Sequence, residues 1–413
     1  MASIYGPVTD WQNDFDHTDP EYNERIHEIW DDLLNAKKCP VAHTERFGGT
    51  WLPITHDYVR EIAYDPDHFT SRSVVVSTVK PDDQPIPPMP APIGAAPPIT
   101  SDPPFHQEAR RLLLPAFAPK MIEPWEKEVE KICHDLIDAM GEREFIDAAI
   151  DYSQHIPVQV IARMLGFPLE DADKFRGFVH LVLEAVNEAP EARQAAFEAF
   201  NEYLDKQIQD HKDNPRDDLT TFLMNAEIMG NKLSDEHVRG TIVLILIAGI
   251  DTTWSGIGSS LWHLAGHPID RGRLVDNPDL IPTATEEFLR AYAPVTMARM
   301  VTDDYDFHGC PMKKDDWVLL PFPAANRDPE AFGDADKVII DREENRHAAF
   351  GLGIHRCLGS NLARLEMNVA TRVFLQRFPD FELAQGEQTK WSVGQVRGPR
   401  KLPVRVLARR PRP

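Results

Sequence analysis

Apolar residues recur at steps of three and four positions along most of this chain. Such spacing gathers them on one face of an α-helix, which then packs against a core. Residues 119–140 show the clearest stripe, which runs without interruption from Met121 to Met140. The same spacing predicts further helices over residues 21–35, 57–64, 155–165, 171–186, 191–211, 235–263, 280–292 and 360–377.

Strand-like runs are fewer and shorter. They cover residues 50–54, 299–307, 317–321 and 402–407, and Gly309 and Pro311 are turn signals after the second run. We therefore predict a mainly α fold with small β-sheets. Residues 1–407 are expected to form a single domain, and the arginine- and proline-rich residues 408–413 a tail.

Composition and charge narrow the class of protein. The 413 residues are 42% apolar and 27% charged, as in an ordinary globular protein, and the formal net charge of -22 repels nucleic acid and anionic lipid. The longest apolar run, residues 242–250, is shorter than the roughly twenty residues that span a bilayer. The acidic N-terminal segment shows no signal peptide, and the four cysteines show no C-x-x-C spacing. We expect a monomeric cytoplasmic protein that binds neither nucleic acid nor membranes.

Residues 81–104 contain ten prolines and can continue neither a helix nor a central strand. They are predicted to form an ordered loop. A passive linker is one interpretation, but apolar residues such as Ile93 and Ile99 would gain nothing from exposure to solvent. A cover over a binding pocket is the favoured interpretation.

A single cysteine, Cys357, follows a loop punctuated by glycines and comes just before the helix that begins near Ser360. A thiolate at a helix N-terminus is stabilised by free N–H groups and by the helix dipole. Gly353 and Gly359 are expected to let the loop fold tightly, so that amide donors point at the sulfur. The segment is typical of an anionic metal ligand, with a buried structural thiol as the alternative.

Four residues of this segment, Phe350, Gly353, Cys357 and Gly359, resemble the haem-binding signature F-x-x-G-x-x-x-C-x-G of the cytochrome P450 family. The resemblance implies the P450 fold and a haem b cofactor, iron protoporphyrin IX, with Cys357 as the axial ligand. A thiolate ligand pushes electron density onto the iron and favours O–O cleavage.

A second motif, Ala248-Gly249-Ile250-Asp251-Thr252-Thr253, lies inside the long predicted helix. Small residues at 248 and 249 would let a flat cofactor approach, and a threonine can bond back to a carbonyl one turn earlier. Alternatively, Asp251 or Thr252 caps a second helix. The family resemblance instead implies that Asp251 relays protons and that Thr252 donates a hydrogen bond to the bound oxygen.

Glu287 and Arg290 lie three positions apart on one predicted helix. Alone, such a pair is usually exposed and contributes only about 0.2–0.5 kcal/mol. It resembles the E-x-x-R motif of the family, which implies a third partner, Arg342, and a structural role.

Four basic residues are implied as contacts of the two haem propionates. His106 and Arg110 resemble an H-x-x-x-R pair on the helix after the proline-rich loop, Arg299 begins a strand, and His355 precedes the cysteine by two positions. Guanidinium groups suit carboxylates, although each residue alone is more often a solvated surface side chain.

The resemblance also places a substrate pocket, whose members are mostly apolar. They carry no charged anchor, which favours a small to medium apolar or aromatic substrate. Ordinary core packing is the alternative for each position. The predicted pocket residues are Ile93, Ile99, Val243, Leu244, Ile247, Val295, Met297 and Val393.

The implied reaction inserts one atom of O2 into an organic substrate, by hydroxylation or oxidative dealkylation. No flavin, nicotinamide or iron–sulfur motif is present, so electrons must come from outside, from a ferredoxin or flavodoxin with its reductase or from a reductase fused to a longer chain. Arg110, Arg111, Arg356 and Arg364 are candidates for the docking patch. A peroxide-driven enzyme and a non-catalytic haem sensor or gas-binding protein are the alternatives.

Overall fold

The computed structural model describes residues 5–35, 41–76, 96–183, 190–392 and 394–413. Helices predominate and the sheets are small, as the sequence predicted. The α-helices span Pro20–Glu24, Ile26–Asn35, His56–Tyr64, Phe105–Leu113, Pro119–Ile122, Trp125–Met140, His155–Leu165, Ala172–Leu183, Pro190–Asp213, Leu219–Asn225, Asp235–Gly266, Pro268–Asp276, Ile281–Ala291, Phe322–Ala325 and Ser360–Arg377.

The helix Asp235–Gly266, here called the central helix, runs through the core. It begins after Ser234, whose side chain accepts a hydrogen bond from the His237 N–H. By length and hydropathy alone it is long enough to cross a membrane, but 61% of its most apolar window is buried inside the protein. It is therefore a core helix, and the helices His155–Leu165 and Ser360–Arg377 pack against it.

The largest sheet has five strands and lies beside the helical core. In spatial order they are Val41–Thr44, Thr50–Pro53, Trp317–Pro321, Thr296–Val301 and Phe69–Thr70. The pairing of Trp317–Pro321 with Thr50–Pro53 is parallel, and the other pairings in this sheet are antiparallel. The smaller sheets join Asp380–Leu383, Pro403–Ala408 and Phe145–Asp147, Lys390–Trp391 with Pro399–Lys401, Glu227–Ile228 with Asn231–Lys232, and Tyr305–Phe307 with Cys310–Met312.

The prediction of one helix over residues 119–140 was wrong. The structure has two helices, Pro119–Ile122 and Trp125–Met140, with Glu123 and Pro124 between them. Proline lacks the N–H that would continue the hydrogen-bond ladder, and its ring clashes with the preceding turn. The apolar stripe continues across the break, so its spacing did not reveal the interruption.

The prediction of one strand over residues 299–307 was also wrong. Thr296–Val301 belongs to the five-stranded sheet, whereas Tyr305–Phe307 forms a separate hairpin with Cys310–Met312. The hairpin turns at Gly309, whose φ of 85° is readily adopted only by glycine. Both strands share one apolar pattern, and only their pairing partners separate them.

Candidate active site

The loop that carries Cys357 is held by its own backbone. The Cys357 N–H donates to the Phe350 carbonyl at 2.7 Å, and the Gly359 N–H donates to the sulfur. Burial raises the pKa of the thiol, while the Gly359 N–H and the nearby guanidinium groups of Arg110 and Arg356 oppose that rise. Burial is the larger effect and the pKa is raised overall, so the sulfur would need a bound cation such as a haem iron to hold it as a thiolate.

The two glycines of this loop have different roles. Gly353 has a φ of 68°, and a Cβ there would lie 2.0 Å from the Ala63 carbonyl oxygen, so no other residue fits. Gly359 has a φ of -83°, and a Cβ there would meet no atom within 4 Å. The expectation that both glycines allow tight folding holds for Gly353 alone, whereas Gly359 borders open space beside Cys357.

One face of the central helix is open although the helix crosses the core. Leu246 and Ile250 are both 0% exposed, yet Ala248 between them is exposed and Thr252 is half-buried. Apolar surface left open inside a core lines an internal cavity. Leu244 lies on the same face, one turn before Ala248, and is half-buried, whereas the half-buried Val243 and Ile247 lie on the adjoining face and pack against the main hydrophobic core.

Gly249 serves helix packing. A Cβ at this position would lie 2.6 Å from Cδ1 of Ile161, on the helix His155–Leu165. The small residue therefore lets two core helices approach closely. Of the two small residues expected to admit a cofactor, Ala248 faces open space and the missing side chain of Gly249 faces Ile161.

Thr252 and Asp251 lie in the middle of an unbroken helix, so the alternative that they cap a second helix is wrong. The Thr252 hydroxyl donates to the Ala248 carbonyl at 2.6 Å, which is the back-bond that the sequence predicted. That bond uses the hydroxyl proton and leaves the lone pairs of the oxygen available. In this conformation Thr252 can accept a hydrogen bond but not donate a second one.

Asp251 is fully buried and forms an ion pair that the sequence did not reveal. Its Oδ1 lies 2.7 Å from Nη2 of Arg400, and the Arg400 guanidinium also covers the ring of Trp254 at 4.3 Å. Asp251 and Arg400 are 149 positions apart, and no spacing rule relates them.

A cleft of about 410 Å³ reaches this ion pair from the outside of the molecule. Asp251, Trp254 and Arg400 form its inner wall. Its outer wall comes from Asp173 and His180, exposed residues of the helix Ala172–Leu183. The cleft connects the Asp251 carboxylate with the protein surface.

Three basic side chains collect near the cysteine loop in largely buried positions. Arg299 is 4% exposed, and its guanidinium donates to the Ala298 carbonyl. His106 is 1% exposed, and neither ring nitrogen has a hydrogen-bond partner among the described residues. His355 lies beside it, with the two rings 4.3 Å apart, and its Nε2 is 2.9 Å from the Ser71 hydroxyl.

The pKa values of these three side chains indicate that the cluster lacks anionic partners. Burial lowers the pKa of His106 to about 4 and that of His355, which also faces Arg299, to about 2. Burial likewise lowers the pKa of Arg299 to about 10. Buried donors and cations need anionic partners, and the two propionates of haem would supply them. The residues present therefore fit a haem.

The helix Phe105–Leu113, which carries His106, lies between the cysteine loop and the central helix. Its Arg110 donates from Nη2 to the Arg356 carbonyl at 2.5 Å, beside the cysteine. At its other end the Phe105 ring contacts that of His237 on the central helix, with centroids 5.7 Å apart. One helix thus joins the cysteine loop to the central helix.

The remaining pocket predictions have different outcomes. Ile99, Val295 and Met297 are half-buried, and Val295 and Met297 also pack against hydrophobic core clusters, so their place in a substrate pocket stays a prediction. Ile93 and Val393 lie outside the described residues, and so does most of the proline-rich loop. The pocket-cover hypothesis for that loop stays a prediction.

The E-x-x-R motif forms a buried network. Arg290 and Arg342 lie 2.9 and 3.0 Å from the Glu287 carboxylate, and Glu287 and Arg290 are both 0% exposed. Asn326, which the sequence did not single out, joins this network to the cysteine loop. Its carbonyl accepts from Arg290 at 2.9 Å, and its Oδ1 accepts from the Ala348 N–H at 2.7 Å.

The helical fold, the tight loop around Cys357 and the largely buried basic side chains beside it fit a haem site. The family model described as Cytochrome P450 matches residues 157–274 and 278–401. The chain belongs to the cytochrome P450 family. It is accordingly a haem b monooxygenase with the P450 fold.

Two curated relatives illustrate the similarity. The chain is 34% identical over 310 residues to the polyketide biosynthesis cytochrome P450 PksS of Bacillus subtilis, covering 74% of this chain and 76% of that one. It is 33% identical over 357 residues to the steroid C26-monooxygenase of Mycolicibacterium smegmatis, covering 85% and 86%.

A solved structure extends the likeness to the fold. The crystal structure of a Bacillus megaterium P450 in complex with testosterone matches with a TM-score of 0.82 at 28% identity, covering 94% of this chain and 99% of that one.

Proposed function

We propose that this enzyme oxygenates a small to medium apolar or aromatic compound, by hydroxylation or oxidative dealkylation. The observation that carries the proposal is the open apolar face of the central helix at Leu244 and Ala248, with the half-buried Ile247 and Val243 on the adjoining face. The half-buried Val295 and Met297 extend this apolar lining. Relatives named for a steroid and a polyketide pathway, and one crystallised with testosterone, support a largely apolar substrate.

We further propose that Cys357 binds the haem iron and that Arg299, His106, His355 and Arg110 hold the propionates. When bound, the haem activates O2 and transfers one oxygen atom to the substrate. The protein would contribute by positioning the substrate and excluding water from the apolar cavity.

Protons would reach the cavity through Asp251. Its carboxylate lies between the solvent-filled cleft and the open face of the central helix, and Arg400 holds it in place. Turning the Asp251 side chain away from Arg400 would carry a proton from the cleft toward Thr252. The Thr252 hydroxyl donates to the Ala248 carbonyl. Its oxygen would accept a hydrogen bond from the group that receives the proton and so hold that group in position.

Replacing Thr252 with alanine is expected to separate reductant consumption from product formation. Reductant is still consumed, but peroxide is released and the product formed per reductant falls at least about tenfold, because proton placement in the cavity is lost. The measurement is product, peroxide and reductant in one reaction. Thr252→Ser keeps the hydroxyl and should retain most of the coupling. Unchanged coupling in Thr252→Ala would contradict the role of Thr252.

We propose an acidic ferredoxin or a flavodoxin as the electron donor, docking beside the cysteine loop. Arg356 is exposed, and Arg111 is 71% exposed at its side chain although it pairs with Glu108 at 3.1 Å, so Arg356 supplies most of the positive charge at this place. The exposed apolar side chains of Leu114 and Met121 follow on the same segment. Such a small charged and apolar patch suits a transient redox contact.

Arg364 contributes less to this patch than its sequence position suggested. Its guanidinium donates to both Glu286 carboxylate oxygens, at 2.7 and 2.9 Å, and covers the ring of Phe350 at 4.3 Å. Its charge is therefore largely neutralised.

We propose in addition that residues 1–407 act as one monomeric domain in the cytoplasm.

The substrate class is tested with matched pairs of compounds that differ only by a carboxylate. The apolar member is expected to bind at least about tenfold more tightly, because the described lining offers no charged partner for an anion. Binding is followed by the visible spectrum of the haem-loaded protein, and turnover by product analysis with a ferredoxin and its reductase. Tighter binding of the acids would contradict the proposal. Carbon monoxide binding without product from any compound would favour a haem sensor.

A further inference from the structure

A second, smaller cavity lies on the other side of the strand Thr296–Val301 from the substrate pocket. Thr296 lines it, and neighbouring side chains of a strand point to opposite faces, so Met297 faces away from it. The cavity measures about 20 Å³, which is room for one water-sized ligand. His17 and Tyr22 from the N-terminal segment and Arg397 from the C-terminal segment line it.

Arg397 is a half-buried cation without a counter-ion among the described residues. Its Nε is buried and has no hydrogen-bond partner, and its guanidinium lies 4.2 Å from the centre of the Trp391 ring. Arginine stays protonated, and burial lowers the pKa of Arg397 only to about 10. Because its Nε is cut off from solvent and has no acceptor, a negative partner in the cavity would stabilise this charge.

The other polar groups of the cavity are also able to donate. The Tyr22 oxygen accepts from Nε1 of Trp30 at 2.9 Å, which leaves its own proton free to donate. His17 is buried, and its Nδ1 has no partner in the part of the chain that the structure describes. Burial lowers the pKa of His17 to about 4, so its ring is neutral and one nitrogen carries a proton.

The lining contains no Asp or Glu. The carboxylate of Asp16, the neighbour of His17 in the chain, is engaged by Arg46 at 3.2 Å. Positive charge and donors therefore converge on a space that no described acceptor fills.

We infer that this cavity binds a single small monovalent anion of the size of chloride or bromide. Arg397 supplies the charge, and Tyr22 and His17 supply further hydrogen bonds. The small volume favours a monatomic anion over phosphate or the carboxylate of a substrate. Because the three residues come from opposite ends of the chain, the anion would clamp the N-terminal segment to the C-terminal one.

The site is tested with the haem-loaded protein at constant ionic strength, with chloride or bromide replacing gluconate, which is too large to enter. The halides are expected to raise the Tm saturably by about 1–3 °C. Crystals grown in bromide should show an anomalous scattering peak beside the Arg397 guanidinium. Equal Tm in all three salts, or a water without bromide at this position, would overturn the inference.

Variants identify the residue responsible. Arg397→Met keeps a long unbranched side chain and removes the charge, and it should abolish the halide dependence of the Tm. Arg405→Met, at an exposed arginine of the strand Pro403–Ala408, should retain it. A halide shift that persists in Arg397→Met would refute the site. If Arg397→Met fails to fold, the bromide experiment on the unchanged protein still decides.

Discussion

The Cys357→His variant is expected to keep its fold and to lose monooxygenase turnover by about a thousandfold or more. The fold survives because the loop is held by the Cys357 N–H bond to Phe350 and by Gly353, and neither involves the sulfur. Turnover is lost because an imidazole ligand lacks the electron push of a thiolate, which acts in the transition state.

Three measurements check this expectation. Circular dichroism reports the fold, the carbon monoxide difference spectrum reports the ligand, and product formation with a ferredoxin reports turnover. The matched control is Cys310→Ala, which removes another cysteine, buried in the small hairpin, and should keep the spectrum and the turnover. Substantial product from Cys357→His, or a loss of the thiolate spectrum in Cys310→Ala, would contradict the assignment of the axial ligand.

The Glu287→Gln variant is expected to lower the free energy of unfolding by about 3–5 kcal/mol. Glu287 is 0% exposed and its carboxylate neutralises Arg290 and Arg342. Removing one partner of a buried ion pair leaves the other charge uncompensated, which costs far more than the pair itself contributes. The damage would spread through Asn326 to the cysteine loop, so haem retention should fall as well.

Urea unfolding of the haem-loaded protein measures this cost, provided that the slope stays unchanged. Glu21→Gln is the matched control, because Glu21 pairs with Arg25 on the surface, where both side chains are 47% exposed. Its loss should cost less than about 0.5 kcal/mol. A cost below about 1 kcal/mol for Glu287→Gln would show that the network is not a stabilising element.

Local patterns in the sequence determined the long helices and the cysteine loop. Helical periodicity repeats every few residues, so it can be read without knowing the neighbours of a helix. The back-bond of Thr252 and the φ of Gly353 are local in the same sense, because a hydroxyl one turn away and a single backbone angle define them. Where a proline or a change of pairing partner interrupted the pattern, as at Pro124, the same reasoning failed.

Only the tertiary structure decided which distant residues meet. Asp251 pairs with Arg400, and Gly249 packs against Ile161, although the members of each pair lie far apart in the chain. Arg397 likewise lies beside residues of the N-terminal segment, and its Nε has no partner there. No sequence spacing encodes such pairs, because their separation depends on how the packed helices and strands fold the chain back. Burial, ion pairing and cavity shape depend on that packing. They determine the properties of the active site, whereas the sequence alone predicts the ligating residue Cys357.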